Sequence, residues 1–213
     1  AADQGPGFPK DLWEILIPEG NPVTPDKVEL GRKLYYDKRL SKDGTVSCAT
    51  CHDPAKGFSD GKKVSEGIGG QKGTRNAPTV LNSIFYEFQF WDGRADSLEE
   101  QAKGPLINPV EMGMTSHDDV VKAVRAVPEY ATAFKAVFGR EATIDDVVAA
   151  IATFERTVVS FNSAFDRFLN KHGIGFVKPA KIPYDDARLE RLDKAFRDYV
   201  REHVLLPLGM QHS

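Results

Sequence analysis

The sequence is poor in cysteine, in long hydrophobic runs and in net charge. Its 213 residues include only two cysteines, and the formal net charge is −3. Two cysteines cannot form the disulfide network that holds small secreted domains together. No apolar run reaches the roughly 20 residues of a membrane-spanning helix, and the slightly acidic balance argues against a nucleic-acid partner. A hydrophobic content of 41% is instead typical of a globular domain with its own core.

The two cysteines stand in one short motif, Cys48-Ala49-Thr50-Cys51-His52. This is C-x-x-C-H, the attachment signature of c-type haem. Two thiols one helical turn apart add to the vinyl groups of the porphyrin, and the histidine supplies a neutral imidazole nitrogen to the iron. The motif therefore predicts one covalent haem c, held by Cys48 and Cys51, with His52 as the proximal iron ligand.

Two other kinds of site use paired cysteines. A thioredoxin-like redox pair is expected beside a β-α-β pattern, which this sequence lacks. A zinc site needs two further ligands at short spacing, and the other histidines provide none: His117, His172, His203 and His212. The motif thus favours haem over either alternative.

Covalent haem also predicts the compartment, because its attachment takes place outside the bacterial cytoplasm. We therefore expect a periplasmic protein. The chain begins Ala-Ala-Asp-Gln and continues directly into Gly- and Pro-rich sequence. This start is consistent with the processed form of an exported protein, from which the signal peptide has been removed.

Hydrophobic periodicity predicts an all-α fold. Thr24 and Pro25 provide a cap and a first-turn proline for a helix that includes Leu34. A second helix begins at Thr143 and carries apolar residues at three- and four-residue steps. Shorter helices are expected at 120–127 and 131–138, and long loops at 42–46 and 56–76. Long loops beside a cofactor often form a pocket wall.

Composition divides the chain into three parts. Residues 1–24 are predicted to form an N-terminal strap, and residues 25–170 the haem domain. Residues 171–213 contain a proline-rich linker and a C-terminal amphipathic helix. That helix is expected either to pack back on the domain or to form a homodimer or partner contact.

Short blocks of sequence follow the order of a known family, at Leu30–Asp37, Ser47–Pro54, Gly73–Thr79, Phe90–Arg94, Glu100–Pro105, Pro109–Gly113, Phe154–Thr157 and Phe165–Arg167. Over about residues 25–170 they resemble the bacterial di-haem cytochrome c peroxidases, a family that includes the MauG proteins. The resemblance implies the family's N-terminal domain, a cytochrome-c-like helical bundle around the haem at which hydrogen peroxide reacts.

The resemblance also implies roles for individual residues. Gln101 and Glu111 match the family's distal-pocket pair. Trp91 matches an aromatic residue that lies between the family's two haems. Asn76 matches a residue near an inter-domain calcium site, but it lacks the second-domain partners of that site, so calcium is not predicted.

The chemistry of peroxide cleavage supports the distal pair. A group must take a proton from one peroxide oxygen and return it to the other, and a carboxyl with a raised pKa does this. Glu111 fits that task, with Gln101 as an orienting hydrogen-bond partner. The alternatives are a solvated loop acid for Glu111 and a core aromatic for Trp91. Arg75 and Arg94 could pair with haem propionates or with acids of the protein.

The sequence departs from the family at one loop position. Many members carry a histidine after the haem motif that blocks the distal face until the enzyme is reduced, whereas Ile68 stands at about that place here. Isoleucine cannot bind iron, so the haem is expected to react with peroxide without reductive activation. The remaining axial candidates are interpreted as surface or core residues: Met114, His117, His203, Met210 and His212.

The second departure is the lack of a second haem motif, because the sequence has no further cysteine. Three functions then remain. The first is a single-haem peroxidase that receives electrons from a cytochrome c or a cupredoxin-type carrier. The second is MauG-like oxidation of a protein substrate, and the third is a non-enzymatic electron-transfer or sensor subunit. The Gln101 and Glu111 pair favours the first two.

Overall fold

The computed structural model describes residues 10–160, with side chains from residue 13. The elements of this part are α-helices and short 3-10 turns, with isolated β-bridges but no strand. The all-α prediction is confirmed. The α-helices are α1 (Lys10–Leu16), α2 (Pro25–Tyr36), α3 (Cys48–Cys51), α4 (Leu98–Ile107), α5 (His117–Arg125), α6 (Pro128–Phe138) and α7 (Ile144–Arg156).

Local capping explains where the two long helices begin. The Thr24 side chain accepts a hydrogen bond from the backbone N–H of Lys27 at the start of α2, and Pro25 fills its first position. Thr143 and Asp146 form a reciprocal capping box at the start of α7. Both starts agree with the sequence prediction.

Other predicted bounds need correction. The helix expected at 120–127 begins at His117, and the helix expected at 131–138 begins at Pro128. Pro128 therefore opens α6, where its missing N–H costs nothing. The first 24 residues include a helix, α1. The predicted boundary at residue 170 and the C-terminal helix, with its homodimer contact, lie outside the described residues.

The core of residues 13–159, which belong to one compact unit, is centred on α2 and α7. Gly31 of α2 lies so close to α7 that a Cβ atom there would overlap the carbonyl group of Ala150. Only glycine allows this approach of the two backbones. The fully buried side chains around it come from α2 and α4 to α7: Leu30, Leu34, Tyr35, Leu106, Val120, Val124, Phe134, Val147 and Ile151.

Gly31→Ala is expected to lower the free energy of unfolding, because the new methyl group forces α2 away from α7. Overpacking of this kind costs about 1–3 kcal/mol, more than the roughly 1 kcal/mol that alanine gains in helix propensity. Urea unfolding measures the change. Gly20→Ala is the matched control, since nothing lies within 4 Å of a Cβ at residue 20. Equal losses for the two variants would contradict the close contact.

A buried polar network fixes the start of α4. Asn21 donates from Nδ2 to Glu99 Oε1 at 2.7 Å and accepts from Lys27 Nζ at 2.9 Å. Arg156 binds the same Glu99 carboxylate through two bonds of 2.7 and 2.8 Å. Both oxygens of the Glu99 carboxylate therefore accept hydrogen bonds, and these bonds connect the start of α4 to the end of α7.

Candidate functional site

The two cysteines occupy a single helical turn, α3. The backbone N–H of Ser47 donates to the Thr50 hydroxyl at 2.9 Å, which fixes the turn at its first residue. Both thiols are free. Burial raises the pKa of the Cys48 thiol to about 12 and that of Cys51 to about 11. The two thiols are not joined in a disulfide, and their raised pKa values are the opposite of the lowered pKa of a reactive redox thiol.

His52 is held in one orientation directly after α3. Its Nδ1 atom donates to the carbonyl oxygens of Pro78, at 3.0 Å, and Phe58, at 3.3 Å. Burial lowers the pKa of the imidazole below its ordinary value of 6.5, so the ring is neutral. A neutral ring whose Nδ1 is bonded to backbone carbonyls presents Nε2 to a metal. These residues therefore fit a covalently attached haem with His52 on the iron.

Glu111 lies in a loop that is docked against another loop. Its backbone carbonyl accepts from the N–H of Ile68 at 2.9 Å, and Asn108 Nδ2 donates to its Oε1 atom at 2.8 Å. A Cβ atom at Gly67 would overlap the backbone of Val110 and Glu111, so only glycine permits this docking.

Glu111 is partly buried, and burial raises the pKa of its carboxyl above the ordinary 4.5, although Arg94 and the Asn108 bond oppose the rise. The charge of Glu111 in turn raises the pKa of both Cys48 and Cys51. The fold thus brings Glu111 within electrostatic reach of Cys48 and Cys51. Glu111 is therefore a loop acid that is partly shielded from solvent.

Gln101 is partly buried on α4, a helix that the sequence analysis did not predict. The helix could not be recognised from the sequence pattern because it contains Gly104 and Pro105, two residue types that normally end a helix. The signals that could have found it are the Ser97 cap, whose hydroxyl accepts from the N–H of Glu100, and the acidic first turn.

Ile68 packs tightly on Gly113. A Cβ atom at residue 113 would overlap the Ile68 Cδ1 atom, and Gly113 has φ of +67°, which favours glycine. Ile68 also belongs to the partly buried residues that pack on the core, together with Cys48 and Met114. Ile68 therefore supplies an apolar contact between this loop and the core.

Trp91 is exposed, with 59% of its surface accessible, so the core aromatic considered from sequence is wrong. Its Nε1 atom donates to the backbone carbonyl of Asn76 at 3.0 Å. The two residues line an open surface pocket of about 480 Å³ with Lys63 and Arg75. Two cationic side chains make this pocket a poor site for calcium, which needs oxygen ligands.

Arg75 and Arg94 both bind Asp92. The Nη1 atom of Arg75 lies 3.1 Å from Asp92 Oδ2, and that of Arg94 lies 2.7 Å from Oδ1. The Arg94 guanidinium also stacks 3.5 Å over the Phe90 ring. All three charged side chains are exposed, so these pairs contribute little to stability. Each arginine keeps further N–H groups for a haem propionate, and that role stays a prediction.

The residues considered as further axial ligands of the iron lie in different parts of the chain. His117 is the first residue of α5, where its Nε2 atom bonds the carbonyl of Lys103 at 3.1 Å. It is therefore held at the start of a helix. His203, Met210 and His212 lie outside the described residues.

Among residues 13–160, no group of three His, Cys, Asp or Glu side chains could hold a metal ion. No helix of the described part is long and apolar enough to cross a membrane.

Comparison with known families places residues 25–173 in a described family. The profile of the family described as "Di-haem cytochrome c peroxidase" matches residues 25–173. A methylamine utilization protein MauG from Methylorubrum extorquens is 50% identical over 71% of this chain and 43% of its own length. The cytochrome c peroxidase Ccp of Escherichia coli is 45% identical over 72% of this chain and 33% of its own length.

Solved structures agree with these relatives. A MauG-like protein associated with microbial copper homeostasis has a TM-score of 0.67 and 37% identity, over 77% of this chain and 49% of that one. The diheme peroxidase BthA from Burkholderia thailandensis has a TM-score of 0.62 and 25% identity, over 77% and 45% of the two chains. The chain thus spans less than half the length of each of these four proteins.

Proposed function

Because the chain belongs to the di-haem cytochrome c peroxidase family, we propose that it forms a c-type haem domain that reduces hydrogen peroxide. The position of Glu111 supports this function most strongly. Its carboxyl group retains a proton more readily than a free acid, and its charge reaches the thiols of Cys48 and Cys51. A proton-exchanging acid beside the haem-binding cysteines is what peroxide cleavage needs.

Each of four residues has a separate proposed role in this reaction. A bound haem would supply an iron that binds peroxide and passes electrons to it. His52 would hold that iron through Nε2, because Nδ1 is occupied by the carbonyls of Phe58 and Pro78. Glu111 would take the proton from one peroxide oxygen and return it to the departing one. Gln101 would orient the peroxide by a hydrogen bond. Ile68 has no atom that could bind the iron in competition with peroxide.

Partners and location follow from the same chemistry. The 213 residues contain one C-x-x-C-H, so we assign one haem to them. Electrons would come from outside this domain, from a small cytochrome c or a cupredoxin-type carrier. The periplasm is the proposed location, since c-type haem is attached outside the bacterial cytoplasm.

Oxidation of a partner protein is a second candidate function. It is favoured by the 50% identity to a methylamine utilization protein MauG. The exposed ring of Trp91 adds an aromatic surface at which such a partner could dock. A pure electron carrier is less favoured, because it has no use for the proton-retaining Glu111.

We expect the ferric holoprotein to give a high-spin spectrum that changes when peroxide is added. The physical reason is that Ile68 offers no ligand to the distal side. Visible absorption and electron paramagnetic resonance spectra measure both properties. A low-spin spectrum that does not respond to peroxide would refute the proposed function.

Ile68→His is the matched variant for this experiment. An imidazole placed at residue 68 is expected to bind the iron, convert the spectrum to low-spin and slow the reaction with peroxide. If the variant keeps the high-spin spectrum and full reactivity, residue 68 does not face the iron.

A further inference from the structure

Tyr35 connects the proposed iron ligand to the interior of α2. Its side chain is fully buried, and its hydroxyl donates to the backbone carbonyl of His52 at 3.1 Å. The ring also packs against Phe154 of α7, with centroids 5.0 Å apart. Tyr35 is thus fixed on both sides and touches the backbone of the haem-binding residue.

Tyr36 continues this contact to the surface. Its ring lies edge-on to Tyr35, with centroids 5.5 Å apart, and 43% of the residue is exposed. Edge-to-face packing places the two π systems in van der Waals contact. The rate of electron tunnelling falls steeply with the distance between donor and acceptor. Two aromatic rings in contact divide a long transfer into two short steps, so electrons pass between them readily. The chain from His52 through Tyr35 to Tyr36 is continuous.

Proton transfer distinguishes the two tyrosines. A phenol loses an electron readily only when its proton can leave with it. Tyr35 is fully buried, and its hydroxyl donates to a backbone carbonyl, which does not take the proton. Tyr36 instead reaches water, which accepts a proton. Tyr35 therefore suits a bridge, and Tyr36 suits a site that is oxidised.

We propose that Tyr36 is the surface relay through which electrons enter the haem domain, with Tyr35 as the bridge to His52. The inference rests on the proposed function, in which peroxide takes up two electrons and two protons to give two molecules of water. For each electron, Tyr36 loses one electron through Tyr35 to the cofactor and one proton to solvent. A one-electron carrier protein then returns the electron to Tyr36, and solvent returns the proton.

Radical trapping locates the oxidised residue. The full-length holoprotein is treated with peroxide in the absence of a donor and in the presence of a nitroso spin trap, and peptide mass spectrometry maps the adduct. We expect the adduct on Tyr36 and at least a tenfold loss in Tyr36→Phe. Tyr86→Phe is the matched control, because Tyr86 is 52% exposed and should leave the adduct on Tyr36 unchanged. An adduct on Tyr86 or Trp91 in place of Tyr36 would overturn the proposal.

A second measurement separates failure of the relay from failure of the peroxide chemistry. In the zinc-substituted holoprotein, a light flash with an external electron acceptor oxidises the porphyrin without peroxide, and the rate of its re-reduction is followed by absorption. Tyr36→Phe is expected to slow this step at least tenfold, and Tyr86→Phe to leave it unchanged. Equal rates in the unmodified protein and Tyr36→Phe would refute the relay, whatever the response to peroxide.

Discussion

Glu111→Gln is expected to lower the rate of peroxide turnover by roughly 10²–10⁴-fold, the usual contribution of a positioned general acid–base group. Glutamine has nearly the same shape as glutamate and still accepts the hydrogen bond from Asn108 Nδ2. It cannot take up or release a proton, so the loss would be chemical rather than structural. Steady-state peroxide reduction with a cytochrome c donor measures the change.

The pH profile tests the same assignment. Burial raises the pKa of Glu111, and its ionised form is needed to accept the first proton. Activity is therefore expected to fall as the pH is lowered through this raised pKa, and the fall should be absent from the residual activity of Glu111→Gln. Glu100→Gln, a change in an exposed acid of α4, is the control and should keep full activity. Unchanged turnover in Glu111→Gln would show that another group moves the proton.

Glu155→Gln is expected to change the pH dependence of stability. Glu155 is buried, its Oε2 atom has no hydrogen-bond partner in the described part of the chain, and burial raises its pKa to about 8. Below the ordinary pKa of 4.5 both the folded and the unfolded chain hold the proton, so the group has no effect on stability. Between that value and about 8 only the unfolded chain releases it, so stability falls as the pH rises.

Glutamine removes this penalty because it carries no charge. Each unit of pKa difference is worth about 1.4 kcal/mol, so between pH 5 and 8 the wild-type chain should lose about 2–4 kcal/mol relative to Glu155→Gln. Urea unfolding of both proteins at the two pH values gives the difference. Glu141→Gln changes an acid that is 81% exposed and should show no such effect. A constant difference between wild type and Glu155→Gln at all pH values would contradict the buried, protonated state.

The sequence predicted those parts of the fold that depend on local signals. Thr24 and Thr143 are caps with clear side-chain chemistry, so the starts of α2 and α7 could be placed from sequence. The helix α4 also has a local start signal in the Ser97 cap, but Gly104 and Pro105 within it are residues that normally end a helix, so the helix was missed. Its position in the fold depends on Glu99, which is held by Asn21 and Arg156 from distant parts of the chain, and no local pattern reports such contacts.

The candidate site also contains some features that local sequence reveals and others that depend on distant contacts. Cys48, Cys51 and His52 stand next to one another, so their proposed joint role in holding haem could be inferred from the sequence alone. The burial of Glu111 depends on how its loop docks on Gly67 and Ile68, which are far away in sequence. The exposure of Trp91 was equally hidden, because an aromatic residue alone does not indicate which side of a loop it occupies.

The close contact between Gly31 and Ala150 has a kinetic consequence. It joins helices near the two ends of the described domain, so it closes a chain segment that includes the haem motif and all the loops of the site. Contacts of such long sequence separation form slowly, because the entropy of the intervening chain is lost before the contact stabilises anything. The segment from Cys48 to His52 is therefore expected to stay accessible to a haem-attaching enzyme until α2 and α7 meet.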